Sequence, residues 1–346
     1  MRLDFENAFN KEVSFKIPHS NSILIHSTMI KILINDGIHP DGKLLLEDAG
    51  FEVQTEKIEQ ADLAEKLPAF DVICVRSATK VRADLIDKCP NLKAICRGGV
   101  GLDNIDVAHA KSKGIEVYNT PAASSQAVAE LVFAHAFSLA RFVHTSNRAM
   151  PSRGESEFKG LKKSFAKGMQ LRGKTIGIIG FGRIGQETAR IALGLGMKVM
   201  PVDLVINELD LKLNIYDSND VSLSVKLKTY SMDKMLANAD FISLHVPGGK
   251  KALIGAEEFA KMKDGVIVIN AARGGTIDED ALLAALESGK VRAAGLDVFV
   301  NEPTPRKDLL EHPQISLTPH IGAATVEAQR NIGLELAEKI IAHFEK

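Results

Sequence analysis

Cysteine is scarce in this chain: three in 346 residues, Cys74, Cys89 and Cys96. An odd, small number in a chain of this length excludes the disulfide framework of small secreted domains. Cys74 in "DVICV" and Cys96 in "LKAIC" lie in apolar runs of strand type and read as small buried hydrophobes, which makes a reducing cytoplasm the expected compartment. No Cys/His cluster has the spacing of a metal site, so no metal is expected. Net charge is nearly absent too. With 43 basic and 44 acidic side chains the balance is −1, and neither nucleic acid nor a membrane surface is expected as a partner. No apolar run approaches the roughly 20 residues of a bilayer span, and there is no solenoid repeat or low-complexity tract. The N-terminus carries Asp4, Glu6 and Glu12 and lacks the continuous apolar core of a signal peptide. Residues 1–28 are expected to form an extension outside the fold, poorly ordered.

What is present is an ordinary globular composition, 45% hydrophobic and 25% charged, in a chain long enough for two domains. From residue 30, short apolar runs alternate with amphipathic stretches. "KILIND", "FEVQT", "DVICV", "KAIC" and "IEVYN" read as strands with helices between them. "NTPAASSQAVAELVFAHAFSLARFV" opens with turn residues and continues as a long apolar helix suited to crossing between domains. "PSRGESEFKG" reads as a polar loop. A second series follows in "KTIGIIG", "KVMPVD", "FISLHVP", "GVIVINAARGG", "AAGLDVF" and "ISLTPH". The last stretch, from "AATVEAQR" on, has helical spacing and is free to pack back on the first domain. This alternation predicts an α/β protein with parallel sheets covered by helices on both faces. Residues 206–229 are longer than a bare connection, and their alternating "VSLSVKLKT" suggests an extra strand or hairpin.

The most informative stretch is "TIGIIGFGRIGQETARIALGLGMKVMPVD". Gly180, Gly182 and Gly185 form G-x-G-x-x-G between a strand and a helix: a tight turn, a close approach for a pyrophosphate, and close helix–strand packing. The N–H groups of Arg183 and Ile184 would point at the phosphate from the helix N-terminus. Asp203 ends the next strand, eighteen residues after Gly185, where a carboxylate can bond both ribose hydroxyls and repel a 2′-phosphate. Leu204 and Val205 offer no cation, so NAD is favoured over NADP.

Three further residues follow strand ends, where open parallel sheets bind ligands. Arg273 in "NAARGGTIDE" has a fork of donors suited to a carboxylate. Glu302 in "LDVFVNEP" and His320 in "SLTPHIGAAT" make a carboxylate–imidazole pair of the acid/base type. Taken singly, each also reads as a surface charge, a turn residue or a helix cap.

Together, "GKTIGIIGFGRIG", "INAARGG", "GLDVFVNEP" and "TPHIGAAT" resemble, in order and spacing, the D-isomer-specific 2-hydroxyacid dehydrogenases. The resemblance runs from about residue 30 to the end. It implies a dinucleotide-binding Rossmann domain, 121–311, inserted into a flavodoxin-like substrate domain made of 29–120 plus 312–346. It implies His320 as acid/base, Glu302 as its partner, and Arg273 as clamp on the substrate carboxylate and carbonyl. A carboxylate beside an imidazole favours the imidazolium formed when the substrate proton arrives. The same resemblance puts Val100, His245, Val246, Pro247, Ala271, Ala272, Arg273, Asp297, His320, Gly322 and Ala323 around the NAD, with Asp297 near the nicotinamide amide. Ala323 is a departure, since many relatives have a second glycine there; a methyl group should be tolerated. A homodimer through the NAD domain is the family's habit, and the apolar 124–142 helix fits it.

For the substrate, "VRSATKV" and "CRGGVGLDNID" look most like the phosphoglycerate-oxidising branch of that family. On that likeness Arg76 and Arg97 bring positive charge to a phosphate, and Ser77 with the N–H groups of Gly99 and Val100 meets the carboxylate. An alternative makes Arg76 or Arg97 a structural ion pair. Only one helix follows His320, so no C-terminal regulatory domain is expected. The expected activity is NAD-dependent oxidation of 3-phospho-D-glycerate. A glyoxylate/hydroxypyruvate reductase or another D-2-hydroxyacid dehydrogenase is the alternative on the same scaffold, and a non-catalytic NAD-sensing protein is the alternative of a different class.

Overall fold

A computed structural model describes residues 29–214 and 222–345; the expected extension at 1–28 lies outside the described residues. Two all-parallel sheets organise the chain. In the first, β1 (Lys31–Ile34), β2 (Glu52–Gln54), β3 (Val72–Val75), β4 (Ala94–Arg97) and β5 (Glu116–Asn119) lie in the order β2-β1-β3-β4-β5. The second contains β6 (Thr175–Ile179) and β7 (Lys198–Val202). Between β7 and the rest of that sheet, β8 (Glu208–Asn214) and β9 (Ser222–Lys228) form an antiparallel hairpin. Then come β10 (Phe241–Leu244), β11 (Val266–Asn270), β12 (Val291–Leu296) and β13 (Ile315–Leu317), giving the order β13-β12-β11-β10-β6-β7. The extended 206–229 connection is therefore a hairpin, standing beside β7. Pro201 is tolerated in β7 because that strand is the edge of the six-stranded sheet, where a missing N–H leaves no ladder partner unpaired.

The continuous apolar strands follow from burial on both faces. Along β11, Val266 and Val268 enter one core with Ile242, Leu244 and Ala294. Ile267 and Ile269 point the other way, against Ile176, Ile178 and Phe241. This is the two-residue alternation of a strand, and each such aliphatic burial is worth roughly 1.5–3 kcal/mol. The Val326–Phe344 helix returns to the first sheet, burying Leu336, Ala337 and Ile340 with Ile32 and Ile34.

Three expectations need correction. The boundary at residue 312 is too early: β13 pairs with β12, Ala294 opposite Ile315 and Leu296 opposite Leu317, so the chain stays with the second sheet until past residue 317. The "PSRGESEFKG" stretch is not a loop but part of the Val143–Ser164 helix, with Pro151 inside it and a non-helical Glu157. That helix buries only Leu161, so its turn-forming residues face water, and Arg153 pairs with Glu157 one turn on. Finally, the apolar character of the 124–142 stretch belongs to the core. The Ser125–Ala140 helix buries Val128, Val132, Phe133, Ala136 and Leu139 against the second sheet, and its composition says nothing about a dimer.

Candidate active site

β6 ends in the glycine-rich turn, and the Arg183–Gly194 helix begins directly after Gly182. The three glycines answer different demands. A Cβ on Gly180, which has φ +92°, would lie 2.5 Å from the His245 carbonyl oxygen. One on Gly185 would lie 2.1 Å from the Gly180 carbonyl oxygen. One on Gly182 would meet nothing within 4 Å. Packing within the protein therefore requires the first and third glycines, whereas the second keeps an open approach to the helix N-terminus. That opening, with helical N–H groups facing it, fits a dinucleotide pyrophosphate.

Asp203 follows β7 and does more than wait for a ribose. Its Oδ2 accepts from the Phe181 N–H at 2.7 Å, and its Oδ1 accepts from Val205 and Ile206 at 2.9 and 3.0 Å. Burial raises its pKa, but the backbone N–H bonds outweigh burial and the carboxyl lies below its ordinary value. These backbone bonds fix the carboxylate at the end of β7, beside the glycine-rich turn.

His245, at the end of β10, is also turned inward. Its Nε2 meets Ser243 Oγ at 2.9 Å and Thr188 Oγ1 at 3.2 Å, tying strand to helix, and burial pushes the imidazole down to about 3. Its backbone N–H is bonded to the Ile179 carbonyl at 2.7 Å, so side chain and amide are both used within the protein. Val246 lies against Gly180, with Pro247 exposed beside it. Ala271 and Ala272 are buried past the end of β11.

The catalytic candidates gather at the carboxyl ends of β11, β12 and β13. Glu302 bridges two groups: Oε1 accepts from the Phe299 N–H at 2.9 Å, and Oε2 lies 2.7 Å from His320 Nδ1. The imidazole Nε2 is thereby turned away from Glu302, and the His320 side chain is half exposed. Arg273 leans across to the first sheet's loops, where its Nε meets Asp103 Oδ2 at 3.2 Å. A Cβ on Gly101 would strike its guanidinium, so that glycine makes the crossing possible. Asp297 is buried and is held by the loop around His320, accepting from Thr318 Oγ1 (2.6 Å) and the N–H groups of Ile321 (2.8 Å) and Gly322 (2.9 Å). Ala323 lies one residue further on, and its carbonyl accepts from Gln329.

Arg76 directly follows β3 and Arg97 closes β4. Burial lowers the Arg97 pKa, the charge of Arg273 lowers it further, and Arg76 adds to this, while Asp103 and Asp36 oppose. Among the described residues the buried Arg97 Nε has no hydrogen-bond partner. Ser77 is exposed in the bend after β3. The Gly99 N–H is already committed to Thr120 Oγ1 at 2.8 Å, so it is not free for a carboxylate as expected. The Val100 carbonyl is pinned by Asn119 Nδ2 at 2.7 Å, and this bond sets the path of the loop.

Several supporting residues carried no sequence signal. Asn270, buried at the end of β11, donates to the Arg273 carbonyl and to Thr276 and accepts from the Ala272 N–H. It shapes the turn that presents Arg273. Asp103, Thr318 and Thr120 act across distances in sequence that no local pattern marks.

A glycine-rich turn for a dinucleotide beside an arginine, a carboxylate and an imidazole defines the class, a nicotinamide-dependent α/β dehydrogenase. Residues 133–322 match the model of the "D-isomer specific 2-hydroxyacid dehydrogenase, NAD binding domain" family. The chain is 46% identical over 316 residues to a hydroxypyruvate reductase of Thermotoga maritima, covering 90% of this chain and 97% of that one. It is 42% identical to a D-3-phosphoglycerate dehydrogenase of Methanocaldococcus jannaschii over 90% of this chain, which spans only 57% of that relative's length. Among solved structures, a glyoxylate reductase from Paecilomyes thermophila superposes with TM-score 0.77 at 29% identity, over 92% of this chain and 97% of that one. The chain belongs to the D-isomer-specific 2-hydroxyacid dehydrogenase family, and its cofactor is NAD.

Proposed function

We propose that the chain oxidises 3-phospho-D-glycerate to 3-phosphohydroxypyruvate, the entry to serine synthesis. The carrying observation is the grouping of three guanidiniums. Arg76 and Arg273 lie close enough to Arg97 to lower its pKa against the opposing charges of Asp103 and Asp36, and among the described residues the buried Arg97 Nε has no hydrogen-bond partner. The repulsion among the three guanidiniums, which lowers the Arg97 pKa, is what an arriving anion would offset. A phosphate and a carboxylate on one small substrate use all three guanidiniums.

In this reading Arg273 orients the carboxylate and polarises the adjoining oxygen, and Arg76 and Arg97 hold the phosphate. His320 Nε2 takes the hydroxyl proton while Glu302 holds the hydrogen on Nδ1, so that only Nε2 can accept. NAD, when bound, supplies the nicotinamide that receives the hydride. Asp203 and the turn at Gly182 are the groups that hold the dinucleotide. A homodimer belongs to the same proposal. Val143, Met150 and Phe158 are exposed apolar side chains on the Val143–Ser164 helix and are what it would bury.

A second reading, reduction of hydroxypyruvate or glyoxylate, is favoured by the relative at 46% identity that is named for it. Steady-state NADH oxidation with phosphohydroxypyruvate, hydroxypyruvate, glyoxylate and pyruvate separates the two. Phosphohydroxypyruvate should lead in kcat/KM by at least about tenfold, the worth of one charged hydrogen bond, and Arg76→Ala should erase most of that lead. If an unphosphorylated acid leads in the wild type, the second reading stands. NADH binding without turnover of any of these acids would favour a sensor.

A further inference from the structure

His135 is a buried imidazole, 2% exposed, with no part in the chemistry above. It belongs to the Ser125–Ala140 helix and packs its ring on Gly295 of β12, where an added Cβ would fall 2.8 Å from the His135 Cβ and 3.0 Å from its Cγ. Its Nδ1 lies 2.9 Å from Ser316 Oγ and its Nε2 lies 3.0 Å from Thr318 Oγ1. Gly295 and Ser316 are register partners, so the missing side chain on one strand makes room for a ring that bonds the next. Ser316 and Thr318, two residues apart, share that face.

The proton positions follow from donor and acceptor inventories. Thr318 Oγ1 is 2.6 Å from Asp297 Oδ1, and a carboxylate only accepts, so the single hydroxyl hydrogen goes to Asp297. Thr318 must then accept from His135, which places the ring hydrogen on Nε2. The neutral ring accepts at Nδ1, from the Ser316 hydroxyl. Burial holds the His135 pKa below the usual imidazole value, ahead of the smaller opposing effect of Asp297, so the ring stays neutral.

Asp297 in turn grips the amides of Ile321 and Gly322, immediately after His320. His320 itself has φ +55°, a left-handed conformation that is costly for a residue with a side chain and persists only where its surroundings enforce it. We propose that His135 is a positioning residue for His320: its Nε2–H aims the Thr318 hydroxyl at Asp297, and Asp297 clamps the amides that keep His320 left-handed with Nδ1 on Glu302. The inference rests on His320 being the proton acceptor, as proposed above. A ring that merely filled space between helix and sheet would need neither hydrogen bond.

Full-length variants at position 135 test this through kcat, KM and thermal midpoint together. His135→Leu keeps the volume and should lower kcat about tenfold, one hydrogen bond's worth, with KM and NADH affinity near wild type and the thermal midpoint lowered by no more than the few degrees that the stranded Ser316 hydroxyl costs. His135→Gln, whose amide nitrogen falls where Nε2 was, should recover kcat to within about threefold. His135→Asn, whose amide falls at Nδ1, should not. Should Leu prevent folding, Gly295→Ala displaces the ring without removing it and should give the same loss. A kcat within twofold of wild type for His135→Leu or Gly295→Ala overturns the proposal, as does equal recovery by Asn and Gln. Imidazole ¹⁵N shifts read the network independently of any substrate: a neutral Nε2–H ring at pH 7 supports it, and an Nδ1–H or doubly protonated ring overturns it. Failure of the wild type to reduce any 2-oxo acid would instead remove the proposed activity.

Discussion

Replacing Glu302 with glutamine preserves the shape of the side chain and removes its charge. In the native site both carboxylate oxygens accept, Oε1 from Phe299 N–H and Oε2 from His320 Nδ1–H. An amide has one oxygen for these two donors. If that oxygen stays on Phe299, the NH₂ group faces Nδ1, the ring hydrogen moves to Nε2, and His320 loses the lone pair that its proposed role as proton acceptor requires. If it turns to His320, the Phe299 N–H faces another donor. The side chains are 33% and 49% exposed, so as a screened surface pair alone they would be worth at most about 1 kcal/mol, less than tenfold in rate. A charge-assisted hydrogen bond is worth about 1.5–3 kcal/mol, roughly 10- to 150-fold. A wrong tautomer is worse, with about 10⁴-fold lost when a serine-protease triad carboxylate becomes an amide. Glu302→Gln should therefore lose between about 10² and 10⁴ in kcat for NAD-dependent oxidation, by stopped-flow absorbance of NADH, while NADH affinity by fluorescence titration stays within twofold. Activity within tenfold of wild type would refute the argument, because it would reduce the pair to an exposed ion pair with no say over the tautomer.

The fingerprint glycines should separate stability from binding. Gly182→Ala meets open space and should unfold at the wild-type temperature while weakening NADH at least about tenfold by obstructing the phosphate; Gly185→Ala, with its Cβ 2.1 Å from the Gly180 carbonyl oxygen, should lower the melting temperature by several degrees. Equal melting temperatures for the two would contradict this division. Acid should also destabilise the fold through His245. Its pKa is about 3 when folded and 6.5 by the reference for a free side chain, so below 6.5 the unfolded chain binds the extra proton. The stability is complete above pH 6.5 and drains away as pH falls toward 3, about 2 kcal/mol between pH 7 and 5. His245→Gln should flatten the pH dependence of urea unfolding over that interval by about one proton, and an unaltered slope would mean the imidazole is not held neutral.

The fold class and the dinucleotide turn were legible because they are written in consecutive residues. A strand, three glycines at fixed spacing and a helix constrain one another through backbone geometry alone. Asp203 was legible as well, but its three backbone bonds were not, since they depend on how the loop after β7 folds over the turn. Arg273, Glu302 and His320 stood out through family likeness more than through any local pattern. The strand pairing of β13 and the helix through Pro151 escaped because neighbours distant in sequence decide them. The same holds for His135: as one polar residue in an apolar helix it carried no signal, and its partner Ser316 is 181 residues away. The sequence by itself determined the class of cofactor and the strands that would carry the chemistry, since glycine spacing and apolar periodicity act locally. Only the tertiary structure decided which groups hold the loop of His320 in place. A hydrogen bond exists or not by tenths of an ångström, and here those distances are set by how one helix rests on a glycine of the neighbouring strand.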